Sequence, residues 1–225
     1  MSKLFSNGCS FLSTRPKDGV NTFVTKILAE QYNLQLFNLA MGGRGNDRIS
    51  FTTKLWFEQN GTNNTFAVIG WSSTYRNDYI TNDEWKKEQF PNMDLTWRTW
   101  KVGDKPFDGK FITKNKGWDI EKTTTMRFLD HVFDLQNYFK LKKIPYVMYN
   151  ALPNDFETNA DDFKKIKESI DFTRFFKPET SHYDFIRNHK PYVVSLMDPH
   201  PSAEGHSEWA KQLKEFIDVN NLRTI

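Results

Sequence analysis

Cysteine is almost absent from this sequence. Cys9 is the single cysteine among 225 residues, so no disulfide can form within the chain, and this suits a reducing compartment. The first residues contain no apolar run long enough for a signal peptide, and no stretch approaches the length of a membrane span. From these absences we expect a cytoplasmic protein without a membrane span.

The sequence also lacks a strong excess of either charge. It has 31 basic and 28 acidic residues, for a net charge of +3. The Lys-Lys pairs at 86–87, 142–143 and 164–165 are scattered among acidic residues, whereas nucleic-acid binders gather their cations on one face. Neither G-x-G-x-x-G after the first predicted strand nor G-x-x-x-x-G-K-[ST] occurs. We therefore predict no nucleic-acid partner, and the usual nucleotide-binding motifs are missing.

What the sequence does contain is an alternation of short apolar runs with amphipathic stretches. This rhythm is typical of β-α-β units, and the length suits one domain spanning residues 1–225. The apolar runs predict five strands, at residues 3–7, 34–39, 65–71, 144–149 and 192–196. The amphipathic stretches predict helices at 20–32, from 46 or 47 to about 59, at about 121–141 and at 203–219, with Asn46 or Asp47 as the cap of the second.

These elements predict an α/β protein with a mainly parallel five-stranded sheet in a three-layer α/β/α sandwich. Two segments, at about 72–119 and 150–190, break the rhythm and are predicted to be irregular insertions. In such folds functional sites form at the carboxyl ends of the strands. We therefore expect the chemically active residues directly after the predicted strands.

Ser10 and His200 are the main candidates. Ser10 follows the first strand in a Gly-Cys-Ser turn, which exposes its hydroxyl near the start of the next helix. His200 lies between two prolines, two residues after Asp198, a carboxylate that can orient an imidazole. Without Ser10, a loop histidine that caps the closing helix would be an equally good interpretation of His200.

A pair of glycines is the third candidate feature. Gly42 and Gly43 follow the second predicted strand, where a backbone N–H can point into the strand-end crevice with no side chain in its way. An oxyanion donor needs such a position. A flexible turn or a phosphate-binding loop is the alternative interpretation.

Four short blocks, taken together, resemble the SGNH hydrolases, also called GDSL-like lipases and esterases. The blocks are Gly8-Cys9-Ser10-Phe11, Asn38-Leu39-Ala40-Met41-Gly42-Gly43, Val68-Ile69-Gly70-Trp71-Ser72-Ser73 and Asp198-Pro199-His200-Pro201. The resemblance implies a flavodoxin-like fold and a site without cofactor or metal. It implies that Ser10 is the nucleophile, that His200 is the general base and that Asp198 orients the imidazole. The implied oxyanion hole consists of the Ser10 and Gly43 N–H groups with Ser72.

Three positions depart from the family pattern. Ser72 stands where the family has an asparagine, and its hydroxyl has a shorter reach; Asn46 or Asn77 is a possible substitute donor. The usual Asp-x-x-His spacing is shortened to Asp-x-His, so another carboxylate or a backbone carbonyl is an alternative orienting group. Cys9 stands where the family often has an aspartate, and it is a minor alternative nucleophile beside Ser10.

The first long insertion supplies candidate substrate contacts. Arg76 can bind a substrate carboxylate or phosphate, although a surface ion pair is the commoner role of an arginine, and Asn46 is a second candidate contact. Four tryptophans of the insertion either roof the crevice, where they would stack on sugars or acyl groups, or form a small satellite core; they are Trp85, Trp97, Trp100 and Trp118.

The resulting hypothesis is a serine ester hydrolase that acts through an acyl-enzyme on an O-acetyl or other short acyl ester, with a carbohydrate as one candidate alcohol. The alternative is a catalytically inactive module of the same fold that binds a glycan as a phage or surface component. The Asn-, Lys- and Phe-rich composition and the Gly-Cys-Ser-Phe block suit a bacterial or bacteriophage protein. A phage-encoded protein would be located in the host cytoplasm or the virion.

Overall fold

The structure is a computed structural model that describes residues 2–81, 87–90, 93–101, 120–154 and 161–224. Within these ranges the strands are β1 (Lys3–Gly8), β2 (Gln35–Asn38), β3 (Thr65–Trp71), β4 (Arg76–Thr81), β5 (Lys87–Phe90), β6 (Met93–Lys101), β7 (Tyr146–Asn150) and β8 (Phe175–Phe176). The helices are α1 (Val24–Gln31), α2 (Asn46–Asn60), α3 (Ile120–Leu141), α4 (Asp161–Glu168), α5 (His182–Arg187) and α6 (Ala203–Val219). None of the helices in this part of the chain has the length and apolar character needed to cross a membrane.

The main sheet has five strands in the order β2-β1-β3-β7-β8, and every neighbouring pair is parallel. The chain runs from β1 outward to β2 and then returns to place β3 on the other side of β1. This reversal between β1 and β3 opens a crevice at the carboxyl ends of the strands. The predicted five-stranded parallel sheet of the flavodoxin-like type is confirmed.

The sheet is covered on both faces because its strands are apolar on both sides. Along β3, Phe66 and Val68 face one core cluster, whereas Ala67 and Ile69 face the other. Helices α1 and α6 contribute to the first cluster, for example through Leu28 and Leu213, and helices α2 and α3 contribute to the second. The predicted three-layer α/β/α sandwich is therefore confirmed.

The fifth strand is not where the sequence predicts it. Residues 192–196 carry an apolar run, but only Val193 pairs, in an isolated antiparallel bridge with Pro201. A tight turn bends this segment back, with Ser195 N and Asp198 O 3.1 Å apart. The fifth strand is the two-residue β8, which pairs with β7 and lies in the segment predicted to be irregular. A strand this short leaves no periodic pattern in the sequence.

The first insertion is also more regular than predicted. Strands β4, β6 and β5 form a separate antiparallel sheet in that order, so the prediction of an irregular segment over 72–119 is wrong for this part. Residues 102–119 lie outside the described residues. The strands β4 to β6 are rich in polar residues and lack the apolar runs by which buried strands are recognised.

The small sheet is attached to the start of α2 through Asp78. Its Oδ2 accepts hydrogen bonds from the N–H groups of Gly45 at 2.8 Å and Arg48 at 3.2 Å. The N-cap residue is Gly45, which has no side chain, so the prediction of Asn46 or Asp47 as the cap is wrong. A buried carboxylate from another strand supplies the capping acceptor instead.

Candidate active site

Ser10 lies at the carboxyl end of β1, next to the point where the strand order reverses. Strand β1 ends at Gly8, Cys9 is extended, and Ser10 begins a 3-10 turn that runs to Leu12. A Cβ atom on Gly8 would lie 2.8 Å from the Gly70 carbonyl oxygen and 2.9 Å from a Leu12 methyl group. Only glycine fits between these groups, so Gly8 permits the sharp turn that leaves Ser10 partly exposed.

The structure brings Ser10, His200 and Asp198 into one hydrogen-bonded chain. Ser10 Oγ lies 3.0 Å from His200 Nε2, and His200 Nδ1 lies 2.5 Å from Asp198 Oδ1. Ser10 and His200 are separated by 190 residues in sequence. The geometry is that of a nucleophile, a base and a carboxylate that orients the base.

Asp198 reaches His200 despite the short spacing because its side chain folds back on its own loop. Asp198 Oδ1 accepts a hydrogen bond from the His200 backbone N–H at 3.2 Å as well as contacting the ring. A carboxylate bonded to the N–H two residues ahead is an Asx turn. The backbone N–H of Asp198 bonds to Ser195 Oγ at 3.0 Å, which closes the loop from the other side.

Arg15 is a site residue that the sequence did not reveal. Its Nη1 donates to Asp198 Oδ1 at 3.1 Å and its Nη2 donates to Asp198 Oδ2 at 2.6 Å, a two-pronged contact that fixes the carboxylate plane. Its Nε lies 2.8 Å from Asp18 Oδ2, and this second ion pair helps to fix the guanidinium. The hydrogen bonds from Arg15, followed by those from His200, keep the pKa of Asp198 well below its usual range. Asp198 is therefore ionised at any pH at which the site would operate.

Cys9 does not compete with Ser10 in this geometry. Its side chain is fully buried in the core cluster with α1 and α6, and burial raises the pKa of the thiol. A thiol that is buried and protonated is a poor nucleophile. Among the two neighbouring candidates, the exposed hydroxyl is the one available for attack.

The glycine loop after β2 lies beside Ser10. A Cβ on Gly42 would be 3.8 Å from Ser10 Cβ, and Gly43 has a φ of +82°, a conformation that favours glycine. The carbonyl oxygen of Gly43 lies 2.7 Å from the Thr99 hydroxyl on β6. The small antiparallel sheet thus contacts the loop in which the resemblance places an oxyanion donor.

Ser72 and Asn46 hold each other in place behind the site. The Asn46 amide donates to the Ser72 carbonyl oxygen at 2.9 Å, and its oxygen accepts from the Ser72 N–H at 2.8 Å. Both side chains are buried, and Ser72 Oγ accepts a 3.4 Å hydrogen bond from Arg76. The geometry gives Asn46 a supporting role and does not favour its predicted substrate contact. The oxyanion role of Ser72 stays a prediction.

Among the other candidate residues of the first insertion, the structure describes Asn77, Trp97 and Trp100. Asn77 is buried, and its oxygen accepts a 3.1 Å hydrogen bond from Arg127 on α3. Trp97 is buried against α2, with its ring 5.6 Å from that of Phe51, as a satellite core predicts. Trp100 lies in β6, and Trp85 and Trp118 lie outside the described residues.

Solved structures with this fold match the chain over nearly its whole length. The psychrotrophic esterase EstA from Pseudoalteromonas sp., in a structure inhibited by monoethylphosphonate, is 11% identical, with a TM-score of 0.51 and coverage of 97% of this chain and 98% of that chain. TesA is 9% identical, with a TM-score of 0.50 and coverage of 97% and 99%. A protein of the G-D-S-L family from Desulfitobacterium hafniense is 11% identical, with a TM-score of 0.48 and coverage of 96% and 99%.

Sequence comparison gives no such match: no family model and no curated protein matches the chain. At identities this low the structural likeness establishes the fold and leaves the activity to be argued from the site. The predicted resemblance to the SGNH, GDSL-like hydrolases is confirmed at the level of the fold.

Proposed function

We propose that this protein is a serine ester hydrolase in which Ser10 is the nucleophile, His200 the general base and Asp198 the orienting carboxylate. The observation that carries the proposal is the unbroken chain from Ser10 Oγ to His200 Nε2 at 3.0 Å and from His200 Nδ1 to Asp198 at 2.5 Å. The fold supports it, since these residues lie at the strand-end crevice where α/β proteins place their sites.

The reaction begins when Ser10 Oγ attacks the ester carbonyl carbon. His200 Nε2 takes the hydroxyl proton, while Nδ1–H stays bonded to Asp198, which stabilises the imidazolium that forms. His200 then gives the proton to the departing alcohol and an acyl-enzyme remains on Ser10. Water, activated by the same imidazole, attacks the acyl group and regenerates the free serine.

The negative charge that develops on the carbonyl oxygen needs hydrogen-bond donors. The proposed donors are the backbone N–H groups of Ser10 and Gly43, together with the Ser72 hydroxyl. Removing one donor from a comparable hydrolase site lowers kcat by roughly 100- to 1000-fold. Gly42 supplies backbone without a side chain next to Ser10, and Gly43 directly follows it, which supports this assignment.

We propose an O-acetyl or other short acyl ester as substrate, with a carbohydrate as the alcohol. Two tyrosines support the choice of alcohol, because Tyr75 and Tyr183 line a cavity at the carboxyl ends of β3 and β7. Tyr75 is 45% exposed, which leaves its ring available to a ligand. Aromatic faces of this kind stack on sugar rings.

Hydrolysis of p-nitrophenyl acetate by the wild type and by Ser10→Ala tests the activity. We expect the variant to lose at least 1000-fold in kcat, as removal of a serine nucleophile does elsewhere. Ser207→Ala is the matched control, since Ser207 is exposed on α6 and bonds only to its own helix at Ala203 O. Equal rates for wild type and Ser10→Ala would refute the proposal.

Covalent labelling with a fluorophosphonate separates the esterase from an inactive binding module. A reactive serine forms a stable phosphonyl adduct, so we expect one adduct on the wild type and none on Ser10→Ala. A protein that is folded by circular dichroism yet unlabelled would instead favour the inactive module of the same fold.

A further inference from the structure

We infer that a cavity beside Ser10 binds a carboxylate of the substrate through Arg76, so that the preferred substrate is an O-acylated acidic sugar. The cavity has a volume of about 250 Å³ and is lined by Tyr75, Arg76, Lys101, Leu152, Pro153 and Tyr183, among others. The inference rests on the proposed ester hydrolysis only for placing the ester at Ser10.

The position of the cavity follows from the order of the strands. Arg76 follows β3 after a short turn, and Leu152 and Pro153 follow β7, so the cavity lies at the carboxyl ends of two neighbouring strands. Strand β1, which carries Ser10 at its end, is the other neighbour of β3. A substrate with its ester at Ser10 can therefore extend one strand across into this cavity.

Aromatic contacts connect the cavity with the Ser10–His200 pair. The ring of Phe11, the residue after Ser10, lies 6.3 Å from the ring of Tyr183 and 5.3 Å from the ring of His200. Tyr183 lines the cavity, so one aromatic residue separates its wall from the base. Phe11 thus contacts both the base and a wall of the cavity.

Arg76 has unused hydrogen-bonding capacity. Its guanidinium carries five N–H donors, and the contact found for it is a long one of 3.4 Å to the neutral hydroxyl of Ser72. Within the described ranges no acidic side chain forms an ion pair with Arg76, whereas Arg15, Arg48 and Arg127 each pair with an aspartate. The alternative interpretation of Arg76 as half of a surface ion pair therefore finds no partner in that part of the chain.

A second cation lies beside Arg76. In the β4–β6 register Arg76 is directly opposite Lys101, and both line the cavity. No aspartate or glutamate is found among the described residues of the lining. The positive charge of the Arg76 guanidinium thus matches an anionic ligand.

The geometry favours a carboxylate on a sugar ring as this anion. The planar fork of an arginine matches a carboxylate with two parallel hydrogen bonds. The remaining walls are the rings of Tyr75 and Tyr183 and the apolar Leu152 and Pro153, surfaces that suit a ring rather than an extended chain. The volume is below that of sites for whole small molecules, which suits one substituted ring rather than a longer ligand.

Selectivity between two matched esters tests the inference. The substrates are a mono-O-acetylated methyl glucuronoside and the corresponding methyl glucoside, and the readout is acetate release. We expect the wild type to show a kcat/KM ratio of at least about 10 in favour of the glucuronoside. Arg76→Gln should bring the ratio near 1 and Arg76→Lys should leave an intermediate value, while unchanged melting temperatures establish that both variants fold. Lys26→Gln is the control, because it removes the same charge from a partly exposed lysine that bonds to the Asn21 carbonyl oxygen; it should keep the wild-type ratio.

Binding to Ser10→Ala separates this inference from the proposed function. Calorimetry with methyl glucuronoside, methyl glucoside and glucose 6-phosphate needs no hydrolysis. Binding of the glucuronoside with no hydrolysis of either ester would remove the proposed function and leave the anion site standing. Hydrolysis of both esters with equal efficiency would overturn the anion site and leave the esterase standing. Tighter binding of the phosphate than of the carboxylate would overturn the choice of carboxylate.

Discussion

Replacing Arg15 by glutamine tests how the Asp198–His200 pair is controlled. The two-pronged contact from Arg15 to Asp198, at 3.1 and 2.6 Å, both fixes the carboxylate and places a positive charge near the imidazole. Asp198 Oδ1 is shared between Arg15 Nη1 and His200 Nδ1, at 3.1 and 2.5 Å. Arg15→Gln therefore removes the charge-assisted hydrogen bonds that fix the orientation of the carboxylate.

The size of the effect depends on the exposure of the contact. The Arg15 and Asp198 side chains are 22% and 32% exposed, so solvent partly screens the interaction between them. The lost orientation is that of a charge-assisted hydrogen bond, for which we expect roughly a tenfold drop in kcat/KM.

The assay is kcat/KM on p-nitrophenyl acetate for wild type, Arg15→Gln and Arg15→Lys. The glutamine variant should show about tenfold lower kcat/KM, because it loses both the charge and the two-pronged contact. The lysine variant keeps the charge without the planar fork, so its kcat/KM should lie between those of the wild type and the glutamine variant. Wild-type rates in both variants would refute the reasoning.

Two predictions concern the stability of the fold around the site. Gly205→Ala should lower the free energy of unfolding by about 1–3 kcal/mol, because the added Cβ would lie 2.2 Å from the Tyr192 carbonyl oxygen. Urea titration measures this change, and an unchanged free energy of unfolding would contradict the packing. Burial lowers the pKa of His206 to about 3 and that of His182 well below its usual value. The unfolded chain then binds more protons below about pH 6.5, so stability is full above that pH and should fall by up to about 1.4 kcal/mol per unit for each histidine as the pH decreases. His206→Leu should flatten this dependence between about pH 6.5 and 4, and an equally steep slope would contradict the assignment.

The sequence predicted correctly those strands and helices whose apolar residues form a regular pattern. Strand β3 was predicted with its observed bounds, Thr65–Trp71, because a strand buried on both faces reads as a continuous apolar run. Helix α6 was also predicted with its observed bounds, Ala203–Val219, since its apolar residues recur at helical spacing. Ser10 and His200 could be proposed because they follow glycine- and proline-marked turns next to such elements.

The sequence was uninformative where contacts are long-range and polar. Arg15 bonds to a residue 183 positions away, and nothing in its local turn distinguishes it from a surface arginine. The two-residue β8 is too short for a periodic pattern, and β4 to β6 are held by partners in other elements, such as the contact of Asp78 with the start of α2. Such elements depend on tertiary context, which one sequence does not display.

The small antiparallel sheet contacts two of the proposed oxyanion donors. Thr99 lies opposite Asp78 in the β4–β6 register, and its hydroxyl reaches both Asp78 Oδ1 at 2.6 Å and the Gly43 carbonyl oxygen at 2.7 Å. The same sheet carries Arg76, whose guanidinium donates to Ser72, where the family has an asparagine. The insertion therefore contacts the glycine loop and Ser72 at once, and a change in its packing would reach two of the three proposed oxyanion donors, Gly43 and Ser72.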